Sequence, residues 1–322
     1  MKQGNPPIFI TGPTASGKSA VALHLAGLME GEIISVDSMQ VYRGLDIGTA
    51  KPCHAERAQV THHLIDVVDL TESFDAAQFV RLAEQAVRDI LGRGRRPIFC
   101  GGTGLYFKAY LEGVGEAPSA DPTLRAELEA IRLPELLAEL QRCDPRLFAT
   151  IDRQNKRRVV RAIEVARLTG RPFSEHRTEW SAPESGAPPR PVSNEPRCFF
   201  ALRRAPEDLR RRIDRRVDAM FEHGLVAETE QLLARGLEEN RTAMQAIGYR
   251  QVIEHLRGKR SLEQTIALVK QKTRQLARRQ MTWFRHQVAP EWIQAGPDEG
   301  VDAIALRIHE CLRDRGQARS VG

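Results

Sequence analysis

The chain has 322 residues, 41% of them apolar and 28% charged, with a formal net charge of +6 at pH 7. That is chain enough to bury one large core or two modest ones, and its composition is that of a soluble globular protein. It holds no apolar run of about eighteen residues to cross a membrane and no leader-length apolar stretch before its first strand, which predicts a cytoplasmic protein.

Residues 8–11 read as a buried strand, and residues 18–29 as a helix that Gly31 closes. Between them lies Gly12-Pro13-Thr14-Ala15-Ser16-Gly17-Lys18-Ser19, a complete GxxxxGKS phosphate loop in its proper strand-to-helix context. Backbone N–H groups of such a loop face an anion at a helix N-terminus, Lys18 brings a full positive charge, and the Ser19 hydroxyl is able to ligate Mg²⁺. The chain is therefore expected to bind a di- or triphosphate.

Residues 32–36 read as the second strand, with Asp37 just past its carboxyl end, where open α/β sheets place ligands. A carboxylate there is positioned either to take a proton from an acceptor group, or to serve as an N-cap or an outer-sphere Mg²⁺ partner for Ser19. Residues 63–68 are a third candidate strand, 74–91 a helix closed by Gly92, and 97–100 a buried strand opening into Gly101-Gly102-Thr103-Gly104. That second glycine turn places the Thr103 hydroxyl beside the phosphate loop. Alternating strands and helices predict an α/β fold: a parallel sheet with helices on both faces.

After Gly113 the pattern becomes helical, with no obvious strand over 121–169 and a Pro/Ser/Gly-rich connection at 181–196. Residues 198–202 read as a strand returning to the sheet, and the chain onward to about 288 as helical. The simplest arrangement is a helical module inserted into an α/β core, divided as 1–115, 116–196 and 197–322. The tail after Val288 shows no clear pattern.

Two basic segments carry more information than the net charge. One is Arg153 to Arg161; the other, Lys270 to Arg285, holds Lys270, Lys272, Arg274, Arg278, Arg279 and Arg285 with no acid. Residues 270, 274, 278 and 285 share one helical stripe, which suits a phosphodiester backbone better than a solvated face with alternating acids. Arg212 and Arg216 sit on a helix after the returning strand, where they are able to reach the phosphate loop. Five scattered cysteines without a CxxC pair argue against a disulfide framework or a cysteine zinc site, and the His62-His63 pair reads as structural.

Taken together these residues resemble the tRNA dimethylallyltransferase family, also called isopentenyl-diphosphate:tRNA transferases. The matching strings are GPTASGKS from Gly12, DSMQVYRGLDIGTAK from Asp37, HHLID from His62, GGTGLYF from Gly101, RRVVRAIEV from Arg157, IGYRQ from Ile247 and TRQLARRQMTW from Thr273. They follow family order across residues 8 to about 288. The resemblance implies a P-loop kinase-like parallel sheet with an inserted all-helical domain that helps clamp a tRNA anticodon stem-loop, and a helical C-terminal region. It implies transfer of a dimethylallyl group from dimethylallyl diphosphate to the exocyclic amine of the adenosine 3′ of the anticodon, with release of diphosphate.

On that resemblance Asp37 is the general base, Thr103 orients the substrate, and Lys18 with the rest of the loop, Arg212 and Arg216 hold the diphosphate, with Mg²⁺ on Ser19. The tRNA contacts it implies begin beside the base, with Asp37, Ser38, Met39, Gln40 and Thr103. In the insertion they are Arg125, Arg157, Arg158, Val159, Val160 and Arg161. Later stretches supply Ala246, Ile247, Gly248, Tyr249, Arg250 and Gln251, then Thr273, Arg274, Gln275, Leu276, Ala277, Arg278, Arg279 and Gln280.

Three departures stand out. Ala205 and Pro206 occupy positions where an acid–arginine pair is expected, 125–145 is a few residues short, and no zinc finger follows, as in bacterial-type members. Free-nucleotide prenyltransferases and nucleoside or nucleotide kinases share the loop and Asp37 without needing the basic helix; a nucleotide-gated RNA-binding protein would not need Asp37. A monomer without membrane association is expected.

Overall fold

The structure is a computed structural model that describes residues 6–114, 118, 120–178, 198–288 and 290–320; the connection at 181–196 lies outside them. The chain divides into two compact units, Met1–Lys108 with Asn194–Gly322, and Ala109–Ser193.

The first unit is built on six strands: β1 (Ile8–Thr11), β2 (Gly31–Val36), β3 (His62–His63), β4 (Arg96–Gly101), β5 (Cys198–Arg203) and β6 (Glu291–Gln294). Among the described residues they form one parallel sheet in the order β3-β2-β4-β1-β5-β6. The first helices in chain order are α1 (Lys18–Leu28), α2 (His54–Gln59), α3 (Ala76–Gly92) and α4 (Gly104–Glu112). The second unit holds α5 (Pro122–Ala130), α6 (Leu133–Cys143), α7 (Pro145–Thr150), α8 (Lys156–Thr169) and α9 (Phe173–Thr178). After the return come α10 (Pro206–Glu222), α11 (Leu225–Leu233), α12 (Tyr249–Leu256), α13 (Leu262–Gln287) and α14 (Val301–Ser320).

Strand β1 is buried on both faces and accordingly apolar from Ile8 to Ile10, with the buried Thr11 hydroxyl donating to Gly101 O at 3.0 Å. Ile8 and Ile10 pack with Val21, Ala22 and Leu25 of α1 and with Ile304, Ala305 and Ile308 of α14. Phe9 points the other way and stacks on Phe99 at 4.9 Å and Phe199 at 5.6 Å. The three central strands end level: Thr11 pairs with Gly101, and Gly101 with Val36. Gly101 permits this, since a Cβ there would lie 2.1 Å from the Val36 carbonyl oxygen. The phosphate loop, Asp37 and the Gly101–Gly104 turn therefore leave the sheet side by side.

Several expectations change in detail. Gly31 is the first residue of β2, and the reversal after α1 falls on Glu30 at φ 49. The third strand is only His62–His63, because Leu64 (φ 61) and Asp66 (φ 56) turn the chain so that Asp66 pairs with Lys51 at 2.5 Å and Arg57 at 2.8 Å. Helix α3 starts at Ala76 because Asp75 caps it, accepting from Gln78 N at 2.8 Å. The tail after Val288 contributes β6 and α14, which complete one side of the core. The histidine pair is structural: His62 Nδ1 lies 2.7 Å from Val60 O, and His63 Nε2 2.6 Å from the buried Glu32, which also takes Arg93.

The second unit has its own core of Leu128, Leu136, Leu140, Leu147, Val159, Val160 and Ile163. Val159 and Val160 are enclosed there, which corrects their assignment as tRNA contacts: their side chains make the α8 core face. Arg125 and Arg161 are likewise drawn inward, both to the fully buried Glu164 at 2.6 and 2.7 Å. Glu164 also accepts from Asp121 N at 3.0 Å, fixing the start of α5. Arg157 and Arg158 remain exposed on the first turn of α8. Glu164→Gln, which removes the charge between two arginines, is expected to destabilise this unit by about 2 kcal/mol. Thermal and denaturant unfolding of the intact chain check this; unchanged transitions would show that the cluster is not structural.

Candidate active site

Gly12 leaves β1 at φ 149, and a Cβ there would lie 2.8 Å from the Leu202 carbonyl oxygen of β5. Only glycine lets the loop turn so close to the neighbouring strand. The loop closes on itself through Ser16 N to Pro13 O at 3.2 Å. Two guanidinium groups then brace its backbone: Arg204 Nε donates to Ser16 O at 2.8 Å, and Arg212 Nε to Ala15 O at 2.9 Å. Across a trans peptide the N–H points opposite to the carbonyl, so the Gly17 amide faces away from Arg204. The Ser16 hydroxyl is buried within the loop without a hydrogen-bond partner.

Lys18 stands at the centre of the charge. Burial lowers its pKa below 10.5, with Arg216 pushing the same way and Cys100 and Asp37 opposing. Burial also lowers the Arg216 pKa against the pull of Asp37, and raises the Cys100 thiol to about 11. Two cations are thus held partly out of water with too little negative charge to balance them. That is the electrostatic signature of a site built for an anion.

Asp37 Oδ1 accepts from Met39 N at 2.8 Å and Gln40 N at 3.3 Å, which closes a turn, since no helix starts here for Asp37 to cap. Its Oδ2 has no hydrogen-bond partner among the described residues. Thr103 Oγ1 accepts from Ser38 N at 3.1 Å, which leaves the hydroxyl proton free to donate. Lys18, Ser19, Asp37, Thr103 and Arg216 line one cleft of about 390 Å³, with Ala246 and Ile247 and, from α13, Thr273, Leu276, Arg279 and Gln280. This volume falls within the ordinary range for small-molecule sites.

Several neighbours hold the cleft's wall. The Gln40 amide accepts from Ser35 Oγ at 2.9 Å and donates to Thr49 O at 3.2 Å, bracing the loop over 45–51. Glu228 accepts from Ile47 N at 2.8 Å and from Tyr249 OH at 2.6 Å, and that hydroxyl accepts from Gly48 N at 3.1 Å. Tyr249 is fully buried, and Gln251, 9% exposed, caps α12 through Gly248 N at 2.8 Å. Both are scaffold, which corrects their assignment as tRNA contacts.

The family model described as IPP transferase matches residues 40–287. The chain belongs to the IPP transferase family. It is 45% identical over 290 residues to tRNA dimethylallyltransferase 1 of Trichlorobacter lovleyi, covering 89% of this chain and 92% of that protein. It is 41% identical over 310 residues to the tRNA dimethylallyltransferase of Geobacter sulfurreducens, covering 93% and 96%. Among solved structures, the tRNA isopentenylpyrophosphate transferase of Bacillus halodurans superposes with a TM-score of 0.70 at 37% identity, over 98% of each chain. A eukaryotic dimethylallyltransferase acting on tRNA superposes with a TM-score of 0.76 at 27% identity, over 98% of this chain and 80% of that one.

This IPP transferase departs from the sequence expectation in its arginines. The missing acid–arginine pair at Ala205 and Pro206 is matched by another, Arg204 with Asp208 at 3.1 Å, and Arg204 also donates to Gly296 O at 2.7 Å. Arg204 escaped the sequence reading because it lies between β5 and α10 and its target in the phosphate loop is 188 residues away. The basic stripe of α13 also divides. Lys270 pairs with Asp218 at 2.6 Å and Arg274 with Asp214 at 2.5 Å, both acids from α10, and Ala277 is buried against that helix. Arg274 and Ala277 are packing positions, which corrects their place among the tRNA contacts, and Lys270 drops out of the free basic stripe with them. Lys272, Arg278, Arg279 and Arg285 are exposed and form no ion pair among the described residues.

No group of three His, Cys, Asp or Glu side chains is gathered among the described residues to cage a metal ion. Mg²⁺ needs no such cage when substrate phosphates and water supply most of its oxygens, and the exposed Ser19 hydroxyl on the first turn of α1 fits that role.

Two outcomes test the electrostatics. Because burial lowers the Lys18 pKa below 10.5, the ammonium loses its proton earlier as pH rises, and affinity for inorganic diphosphate should fall on the alkaline side before 10.5. Lys18→Arg, which stays charged, should remove that limb; calorimetric titration across pH reads it, and parallel profiles would discount Lys18. The double variant R278E/R279E should weaken tRNA binding about tenfold or more and flatten its salt dependence by about two charges. Filter binding at several salt concentrations measures this, and an unchanged slope would make these arginines ordinary surface.

Proposed function

We propose that this chain transfers a dimethylallyl group from dimethylallyl diphosphate to the exocyclic amine of the adenosine immediately 3′ of the anticodon in tRNA, releasing diphosphate. The observation that carries the reading is one cleft that joins a phosphate loop under excess positive charge to a carboxylate oxygen, Asp37 Oδ2, that has no hydrogen-bond partner among the described residues. A kinase would share the loop and Asp37 but has no use for the exposed arginines along α13, which fit a polynucleotide acceptor. Arg158 adds to this, since an exposed cation on the first turn of α8, which has no acid there, opposes the helix dipole and suits an outside anion.

The loop amides and Lys18 bind the donor's diphosphate, and Arg204 and Arg212 keep the loop in shape from behind. As the allylic carbon–oxygen bond breaks, both electrons leave on the diphosphate oxygen, where Lys18 and Arg216 stabilise the charge. The adenine amine is a poor nucleophile because its lone pair is delocalised into the ring. It forms the new carbon–nitrogen bond and passes its proton to Asp37 Oδ2. Thr103, accepting from Ser38, is free to donate its proton to the flipped base and orient it. A base in a single-stranded loop is cheaper to extrude than one in a duplex. Bound Mg²⁺, held by Ser19 and the diphosphate, would neutralise part of the leaving group's charge.

No helix among the described residues is long and apolar enough to cross a membrane. On this reading the chain works on tRNA in the cytoplasm as a monomer. The assay incubates the protein with unmodified tRNA, Mg²⁺ and labelled dimethylallyl diphosphate, beside AMP and labelled ATP. Label in tRNA is the expected result; label only in AMP, or phosphate transfer from ATP, overturns the reading. Asp37→Ala should keep tRNA affinity while losing about 10²- to 10⁴-fold in kcat, and a near-normal rate would remove Asp37 from the chemistry.

A further inference from the structure

Gln280 lies on the cleft side of α13, yet neither hydrogen bond of its side-chain amide goes to that helix. Its Oε1 accepts from Thr14 N at 2.8 Å, and its Nε2 donates to Gly102 O at 3.0 Å. A backbone N–H only donates and a carbonyl only accepts, so the amide has one possible orientation. The partners lie 266 and 178 residues away in sequence, one in the phosphate loop and the other in the glycine turn. A Cβ on Gly102 would fall 2.4 Å from Gln280 Nε2, so the turn is bare where the amide arrives.

The glycine turn is itself tied to the tip of β2. Gly102 N and Thr103 N donate to Val36 O at 3.2 and 3.1 Å, and Ser38 N donates to Thr103 Oγ1. One side chain thus links the donor's loop to the segment that presents Thr103 and Asp37.

We infer that Gln280 is a positioning residue for the transfer: it fixes the phosphate loop relative to the Gly101–Gly104 turn, and so the donor's reacting carbon relative to the acceptor amine. This rests on the prenyl-transfer reading and moves Gln280 from the tRNA contacts to the donor side of the cleft. Its hold on Thr14 N also leaves the diphosphate to the amides further along the loop, Lys18 and Ser19. A reacting pair displaced by about 1 Å loses up to a hundredfold in rate, which is the leverage such a tie exerts.

The test compares Q280A and Q280E with wild type in kcat, KM for dimethylallyl diphosphate, and directly measured affinities for tRNA and for inorganic diphosphate. Q280A should lose about tenfold in kcat and bind diphosphate several-fold more weakly, with tRNA affinity within about twofold. Q280E keeps the shape and the acceptor for Thr14 N, but opposes Gly102 O with a second oxygen and adds negative charge beside the diphosphate. It should fall further than Q280A, by about a hundredfold in kcat. A merely space-filling role predicts the reverse order, with the isosteric Glu closer to wild type. That order overturns the inference, as does a tenfold loss of tRNA affinity with diphosphate binding intact. Should wild type fail to prenylate tRNA, the diphosphate titrations need no turnover and still decide whether Gln280 governs the phosphate loop.

Discussion

Val36 pairs with Gly101 and Gly101 with Thr11, so β2, β4 and β1 stop at one level, and everything in the cleft depends on that register. Adjacent strands lie about 4.8 Å apart, which puts the tips of β1 and β2 roughly 10 Å from each other with the glycine turn of β4 between them. That is the scale of a small diphosphate ester with its acceptor. A slip of one residue in β4 would turn the Thr103 segment away from Ser38 and move Gly101 off the Val36 carbonyl, which leaves no room for a Cβ. Gly101 is therefore a constraint on function through backbone approach alone.

The same geometry explains the charge. Lys18, Arg204, Arg212 and Arg216 converge on one loop, where mutual repulsion and loss of water make them costly to hold. Three of them reach loop carbonyls: Arg204 at Ser16 O, Arg212 at Ala15 O and, at 3.3 Å, Lys18 at Pro13 O. Lys18 and Arg216 also face the cleft, where Asp37 pulls against the loss of water. The imbalance favours an incoming diphosphate, whose charge answers cations already in position. A donor with less charge at its head would gain far less from the same site.

Helix α13 performs two tasks on two faces. Toward α10 it is neutralised by Asp214 and Asp218 and packed through Ala277; away from it, Arg278, Arg279 and Arg285 remain exposed. Along about 39 Å of helix, one stripe fixes the element to the fold and another is left for an acceptor. Gln280 then carries the position of that helix into the phosphate loop.

The sequence by itself determined the phosphate loop, the strand that ends before Asp37, the glycine turn with Thr103 and the helical insertion. Each is a local pattern: a strand's apolar run, a glycine where the backbone must turn, a cap before a helix. The family strings settled the kind of enzyme for the same reason, being contiguous and in order. Only the tertiary structure decided which basic residues are free. The acids that neutralise Lys270 and Arg274 come from another helix, and Glu164 gathers Arg125 and Arg161 from two. It also decided that Tyr249 and Val160 are interior, that β6 completes the sheet, and that Arg204 and Gln280 serve the phosphate loop. Charge balance and burial are set by neighbours far away in the chain, and no window of consecutive residues contains them.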